Sequence, residues 1–136
     1  MSLIQVVLDT DILSAIMRRD ARVLPQARTY LGTYGQFTLS IITRFEILRG
    51  LKAKSATTQV LVFDRLCASN IILPLSDTIV LKAADIYADL YRRGALISDA
   101  DILIAASASV HGLGVATNNE EHFRRIAGLQ VENWLK

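Results

Sequence analysis

Five short apolar runs and the long gaps between them constrain this chain more than any other feature. The runs cover residues 4–8, 37–39, 71–73, 113–116 and 130–132. The first is rich in β-branched residues, Pro74 closes the third and Gly112 opens the fourth. Helical patterns fill the first three gaps. The clearest is 76–93, where Ile79, Val80, Ala83, Ile86, Tyr87, Leu90 and Tyr91 form one apolar stripe. Ser76 and Asp77 supply its start signal and Gly94 its stop. Further helices are predicted over 11–19, 21–34 (with Pro25 in its first turn), 42–52, 56–68 and 101–110. The last is apolar all round and full of Ala and Ser, which suits a central, tightly packed position. Strands alternating with helices predict an α/β fold: a parallel sheet of four to five strands with helices on both faces. Ligands of such sheets bind outside the carboxyl ends of the strands. Function is therefore to be sought there.

The totals narrow the classes. With 136 residues and no Pro/Gly/Ser linker or repeat, residues 1–136 read as a single domain. Cys67 is the one cysteine, which excludes a disulfide framework and a thiolate metal cluster. A reducing, cytoplasmic setting fits. The opening MSLIQVV has neither the basic nor the long apolar region of a secretory signal. No run approaches the ~20 apolar residues that span a bilayer, so no membrane partner is expected. The chain is nevertheless apolar, at 51% hydrophobic residues. Some of that surface is expected to meet another chain. Tyr30, Tyr34, Tyr87 and Tyr91 lie at helical spacing, which favours packing over base stacking.

The acids point to chemistry. Asp9 closes the first strand, Glu46 lies early in a helix, and Asp99 and Asp101 open the apolar helix. Asn118, Asn119, Glu120 and Glu121 follow the fourth strand. In a parallel layout these points share one edge. Singly, each acid suits a helix N-terminus. Thr43 and Glu46 have the spacing of a capping box, as do Ser98 and Asp101, and Asp11 reads as the N-cap of a helix from Ile12. Together, five converging acids repel one another unless a cation sits among them. Oxygen ligands without a thiolate set select Mg²⁺ or Mn²⁺. The chain has 13 acids and 15 Lys and Arg. Without Asp9, Glu46, Asp99, Asp101 and Glu120 the rest carries about +7. An acidic pocket on a basic body suits a metal nuclease. Arg44, Arg49, Lys52 and Lys54 flank Glu46 and are candidates for phosphate contact.

The stretches VVLDTDIL, IITRFEILRG, ISDADILIAASASVHGL, VATNNEEHF and GLQVENW, in this order, resemble the PIN-domain ribonucleases of the VapC toxin type across essentially the whole chain. The resemblance implies a three-layer α/β/α sandwich and a Mg²⁺- or Mn²⁺-dependent endoribonuclease. It implies homodimers, and larger complexes in which a VapB-like antitoxin lays its C-terminal segment over the active site. Asp9, Glu46 and Asp101 match the family's acids, and Thr10 matches the hydroxyl residue that supports the first. The implied chemistry is hydrolysis of an RNA phosphodiester by a metal-activated water. The fourth acidic place departs from many members: it reads Thr117-Asn118-Asn119. Asn119, Glu120 or Glu121 is left to fill it, and Asp99 is an extra acid nearby. Whether one metal binds or two stays open.

Two other readings are weighed. A domain with Asn at the fourth place suits a degenerate fold that binds RNA without cutting it. A phosphatase of the DxD type needs a Thr or Val where Leu13 stands and a later lysine motif, and neither is found. His111 ends an apolar helix, where a cation suits the dipole, and His122 reads as a surface residue.

Overall fold

Val6–Leu8 forms the central strand, β1, and the two-residue period of a strand divides its side chains. Val6 and Leu8 enter one apolar cluster and Val7 the other. The computed structural model describes residues 4–136. The remaining elements are α1 (Thr10–Met17), α2 (Leu24–Tyr34), β2 (Thr38–Ser40), α3 (Ile41–Ala53), α4 (Thr57–Ser69), β3 (Ile71–Leu73), α5 (Asp77–Arg92), α6 (Asp99–Val110), β4 (Gly114–Ala116), α7 (Glu120–Arg124) and β5 (Val131–Glu132).

The strands order as β3-β2-β1-β4-β5, and every pairing is parallel. Leu8 pairs with Leu39 on one side and Ala116 on the other. The chain builds outward from β1 through β2 to β3, then returns to the other side of β1 as β4. That reversal leaves a switch point between the carboxyl ends of β1 and β4. One face carries α1, α2 and α4, with Ile12, Leu13, Tyr30, Phe63 and Trp134 fully or almost fully buried. The other carries α5, α6 and α7, packed through Ile79, Leu90, Ile104 and Phe123. The expected α/β/α sandwich is the observed one.

Local chemistry explains the boundaries. Ser76 caps α5 by accepting from the Ile79 N–H, and Gly94 ends that segment at φ 63°. Ala105, Ala106, Ser107 and Ala108 let α6 lie close on the sheet. Gly114 has a steric role: a Cβ there would stand 2.7 Å from Ile4 Cδ1 and 2.9 Å from the Gln130 carbonyl oxygen. On the first face, Tyr30 turns its hydroxyl to the β1 backbone, 3.2 Å from the Val6 N–H and 3.3 Å from its carbonyl. Its ring lies 5.3 Å from that of Trp134. Tyr30 therefore packs as its spacing predicts, whereas Tyr87 and Tyr91 stack on the solvent side of α5.

Three expectations change. The helix predicted from residue 11 begins at Thr10, and its N-cap is Asp9 rather than Asp11. Asp9 is extended, at φ −71° and ψ 160°, and accepts from the Thr10 N–H, whereas Asp11 lies inside the first turn. The Thr43/Glu46 capping box does not form, because Ser40 caps α3 one turn earlier. The short helix α7 carries too little periodicity to show in the sequence.

Candidate active site

The acidic edge is assembled from the ends of β1 and β4 and the starts of α1 and α6, with α3 alongside. Asp9 ends β1, and its backbone N–H donates to the Ala116 carbonyl of β4 at 2.9 Å. That register fixes where its carboxylate emerges. Oδ1 accepts from the Thr10 N–H at 2.8 Å, and Oδ2 accepts from the Thr117 hydroxyl at 2.7 Å. Thr117 is fully buried and also accepts from the Asn119 N–H at 2.9 Å. Only 5% of Asp9 is exposed. Burial, then the charge of Asp11 and more weakly that of Asp101, push its carboxyl up to about 7. Thr117 and the Thr10 N–H oppose that rise without cancelling it.

Asp11 completes the pressure. Its Oδ2 accepts from the Asn118 N–H at 3.0 Å, while its Oδ1 is buried with no hydrogen-bond partner. Burial raises its pKa too, and the Asp101 charge adds to the rise. Asp101 sits in the first turn of α6, where Ser98 accepts from its N–H at 3.2 Å, one arm of the expected capping box. Its Oδ2 faces the Asn119 amide nitrogen at 3.4 Å and His122 Nδ1 at 3.3 Å. Among the described residues, neither Asp9 nor Asp11 has a Lys or Arg ion pair.

Glu46 approaches from α3. Its Oε1 accepts from the Thr10 hydroxyl at 2.7 Å, and Thr43 meets the same hydroxyl at 3.2 Å. Thr10 thus serves the first acid through its backbone and the second through its side chain. The hydroxyl on Asp9 is that of Thr117.

The other candidates divide. Asn119 stands beside Asp101 but turns its amide nitrogen to that carboxylate and, at 2.7 Å, to His122. Asp99 is exposed, and no hydrogen bond among the described residues joins it to the other acids. Glu120 turns away: Lys136 Nζ at 2.6 Å, Arg124 at 3.0 Å and Asn133 at 3.0 Å surround it. They hold its carboxyl down to about 2. Glu121 reaches outward to Arg125 at 3.0 Å. Among the proposed phosphate contacts, Arg44 is engaged by Asp64 at 3.1 Å and lies over the Phe63 ring. Arg49 lies over Phe45 and 3.7 Å from Glu46, while Lys52 and Lys54 are exposed at the far end of α3. Sequence spacing read Asp11 chiefly as a cap, with a supporting place beside Asp9 left open, and missed His122 as a neighbour of the site. His122 was hidden by the shortness of α7.

Among the described residues, no three carboxylates or imidazoles close a cage around an ion by themselves. Mg²⁺ does not need one, since it keeps several waters and is usually held through one or two carboxylates. The orphaned Asp11 oxygen and the carboxylates of Asp9 and Asp101, which have no Lys or Arg partner among the described residues, are the donors such a cation would meet.

A parallel α/β/α sandwich with its acids at the β1/β4 switch point defines a class, and comparison with known proteins gives its family. The profile of the PIN domain matches residues 6–129, and the chain belongs to the PIN domain family. It is 33% identical over 99 residues to ribonuclease VapC1 of Methanocaldococcus jannaschii, 71% of each chain. It is 29% identical over 134 residues to ribonuclease VapC2 of Haemophilus influenzae, covering 98% of this chain and 100% of that one. The DNA-bound VapBC structure from Salmonella typhimurium superposes with a TM-score of 0.83 at 27% identity, covering 97% of this chain and 99% of that one.

Proposed function

We propose that this chain is the ribonuclease toxin of a VapBC-type toxin–antitoxin pair, a Mg²⁺- or Mn²⁺-dependent endoribonuclease. The observation that carries the reading is the buried carboxylate of Asp9, raised to about 7 beside Asp11 and Asp101, with no Lys or Arg ion pair to any of the three among the described residues. Asp9 and Asp101 would hold the cation directly, and Glu46, tied to Thr10, closes the same edge from α3. Asp11 adds a free oxygen, and Asn119 and His122 orient Asp101. Glu120, Glu121 and Asp99 stand outside that set. When bound, a divalent cation supplies charge neutralisation and polarises a water toward the phosphodiester. The chain's own part is to fix the carboxylates before substrate arrives, through Thr117, the Thr10 N–H and the Asn118 N–H.

The partners follow. RNA is the substrate, and a cognate VapB-like antitoxin is the inhibitor. The apolar side chains that α4 and α5 leave exposed, such as Leu61 at 61% and Tyr91 at 65%, support contact with a second copy and with the antitoxin. Among the described residues no helix is long and apolar enough to cross a membrane, and the cytoplasm suits an RNA substrate.

The test is cleavage of total RNA by the purified chain in EDTA, Mg²⁺ and Mn²⁺, beside the Asp9→Asn variant. Cleavage only with metal and only by the parent is expected. RNA that stays intact under every condition while still binding would replace this reading with a non-cutting RNA-binding domain.

A further inference from the structure

The acidic edge continues into a second concavity that the acids do not use. An open pocket of about 620 Å³ is lined by Asn118, Asn119, Glu120, Arg124, Asn133 and Lys136, among others. Its size falls within the ~300–1,000 Å³ of small-molecule sites. It shares a wall with the acids, because the Asn118 N–H bonds Asp11 and the Asn119 amide faces Asp101.

The pocket is organised around Glu120. That carboxylate, 17% exposed, holds Lys136, Arg124 and the Asn133 amide together. Asn133 in turn donates to the Asn118 side-chain oxygen at 3.1 Å and accepts from the Leu135 N–H at 2.9 Å. Two cations are thus fixed by one acid, and Glu121, the other acid of the lining, is paired with Arg125. Both stay open to solvent, at 74% for the Lys136 side chain and 60% for that of Arg124. Each keeps N–H donors that Glu120 does not use. The Asn118 amide oxygen is occupied, while its NH₂ group has no partner among the described residues. Fixed cations beside a free amide donor are the groups that bind a phosphate and read the acceptor edge of a base.

Resting on the ribonuclease reading, we propose that this pocket is a nucleotide subsite for the RNA residue next to the scissile phosphate. Lys136 and Arg124 take a flanking phosphate, the Asn118 amide contacts the base edge, and Glu120 is a positioning residue that aims both cations.

The test uses the full chain and a fluorescein-labelled single-stranded RNA of mixed sequence. Binding is read by anisotropy in EDTA across a salt series, and cleavage kinetics are read with Mn²⁺. For Lys136→Gln and Arg124→Gln, each variant lowers the slope of log K against log salt by about 0.7, as for one lost single-strand phosphate contact. Each raises KM roughly threefold to tenfold with kcat within about twofold, and Lys136→Arg restores the slope. Asn118→Ala shifts the base preference at one position beside the cut, which a merely structural role would not do. Unchanged slopes and KM in both charge variants, with circular dichroism matching the parent, overturn the proposal. A parent that cuts no RNA with metal sinks the nuclease reading instead, and the salt slopes still decide the pocket.

Discussion

Asp9 and Glu120 border the same edge of the sheet, yet their carboxyls are driven in opposite directions. Asp9 is buried between two other acids with only hydroxyl and amide donors, and is pushed up to about 7. Glu120 is clasped by Lys136, Asn133 and Arg124 and is pulled down to about 2. The protein has neutralised one acid and left the other in deficit. An acid with a supporting task acquires cations from the protein itself, as Glu120 does. An acid kept short of positive charge while nearby lysines and arginines are spent elsewhere is held for a cation from outside. This difference separates the reactive part of the edge from its supporting part.

Breaking the deficit gives the largest effect. Asp9→Asn is expected to lower RNA cleavage on the order of a thousandfold, about 4 kcal/mol of barrier. It should raise the thermal midpoint of the metal-free protein at pH 8, because a buried charge is removed without loss of volume. Matched cleavage assays and melts check both, and a variant that keeps activity would erase the distinction between the two acids.

A pH series sharpens the comparison. The folded Asp9 carboxyl, at about 7, binds its proton more tightly than the unfolded one at 3.8. Protons therefore favour the folded state, and the stability of the metal-free chain should fall as pH rises from about 4 to about 7, by up to about 4 kcal/mol. Chemical denaturation at several pH values reads this. The slope should shrink in Asp9→Asn, where Asp11 keeps a raised pKa of its own through burial, and shrink also when Mn²⁺ is added. A flat profile for the parent would mean that Asp9 is not in deficit.

Thr117→Val acts on the donor side. It removes the hydroxyl on Asp9 and the acceptor for the Asn119 N–H, leaving a buried carboxylate oxygen less satisfied. A loss of about 1–3 kcal/mol in stability is expected, with cleavage reduced at least tenfold, and Thr117→Ser should recover most of both. Glu120→Gln should do least. Its contribution is present above pH 4.5 and is lost as pH falls toward 2, so the parent and variant should differ near neutrality and converge in acid. Because Glu120 aims Lys136 and Arg124, KM should rise about threefold while kcat stays within about twofold, read with the same RNA.

The sheet, its parallel sense and its layers were legible from the alternation of short apolar runs such as β1 with helical stripes such as that of α5. The convergence of Asp9, Glu46 and Asp101 near one edge followed from strand and helix ends alone. The division of labour between Asp9 and Asp11 did not. Both have cap chemistry, and only the β1 register with Ala116 decides which one closes the strand and caps the helix. Glu120 read as a ligand because its partners come from remote positions, Asn133 and Lys136, with no spacing signal to announce them. Thr117 and Asn118 were expected as supporting residues of the site, but the bond from Thr117 to Asp9 spans 108 positions and no spacing announces it.

The central claim is that the acids around Asp9 are completed by a divalent cation. Calorimetric titration of the metal-free chain with Mn²⁺ at pH 7.5 tests it most directly, because it reads binding apart from turnover. Saturable binding by the parent that is lost in Asp9→Asn and kept in Glu120→Gln is the result this account predicts. No binding by the parent, or equal binding by parent and Asp9→Asn, would contradict it.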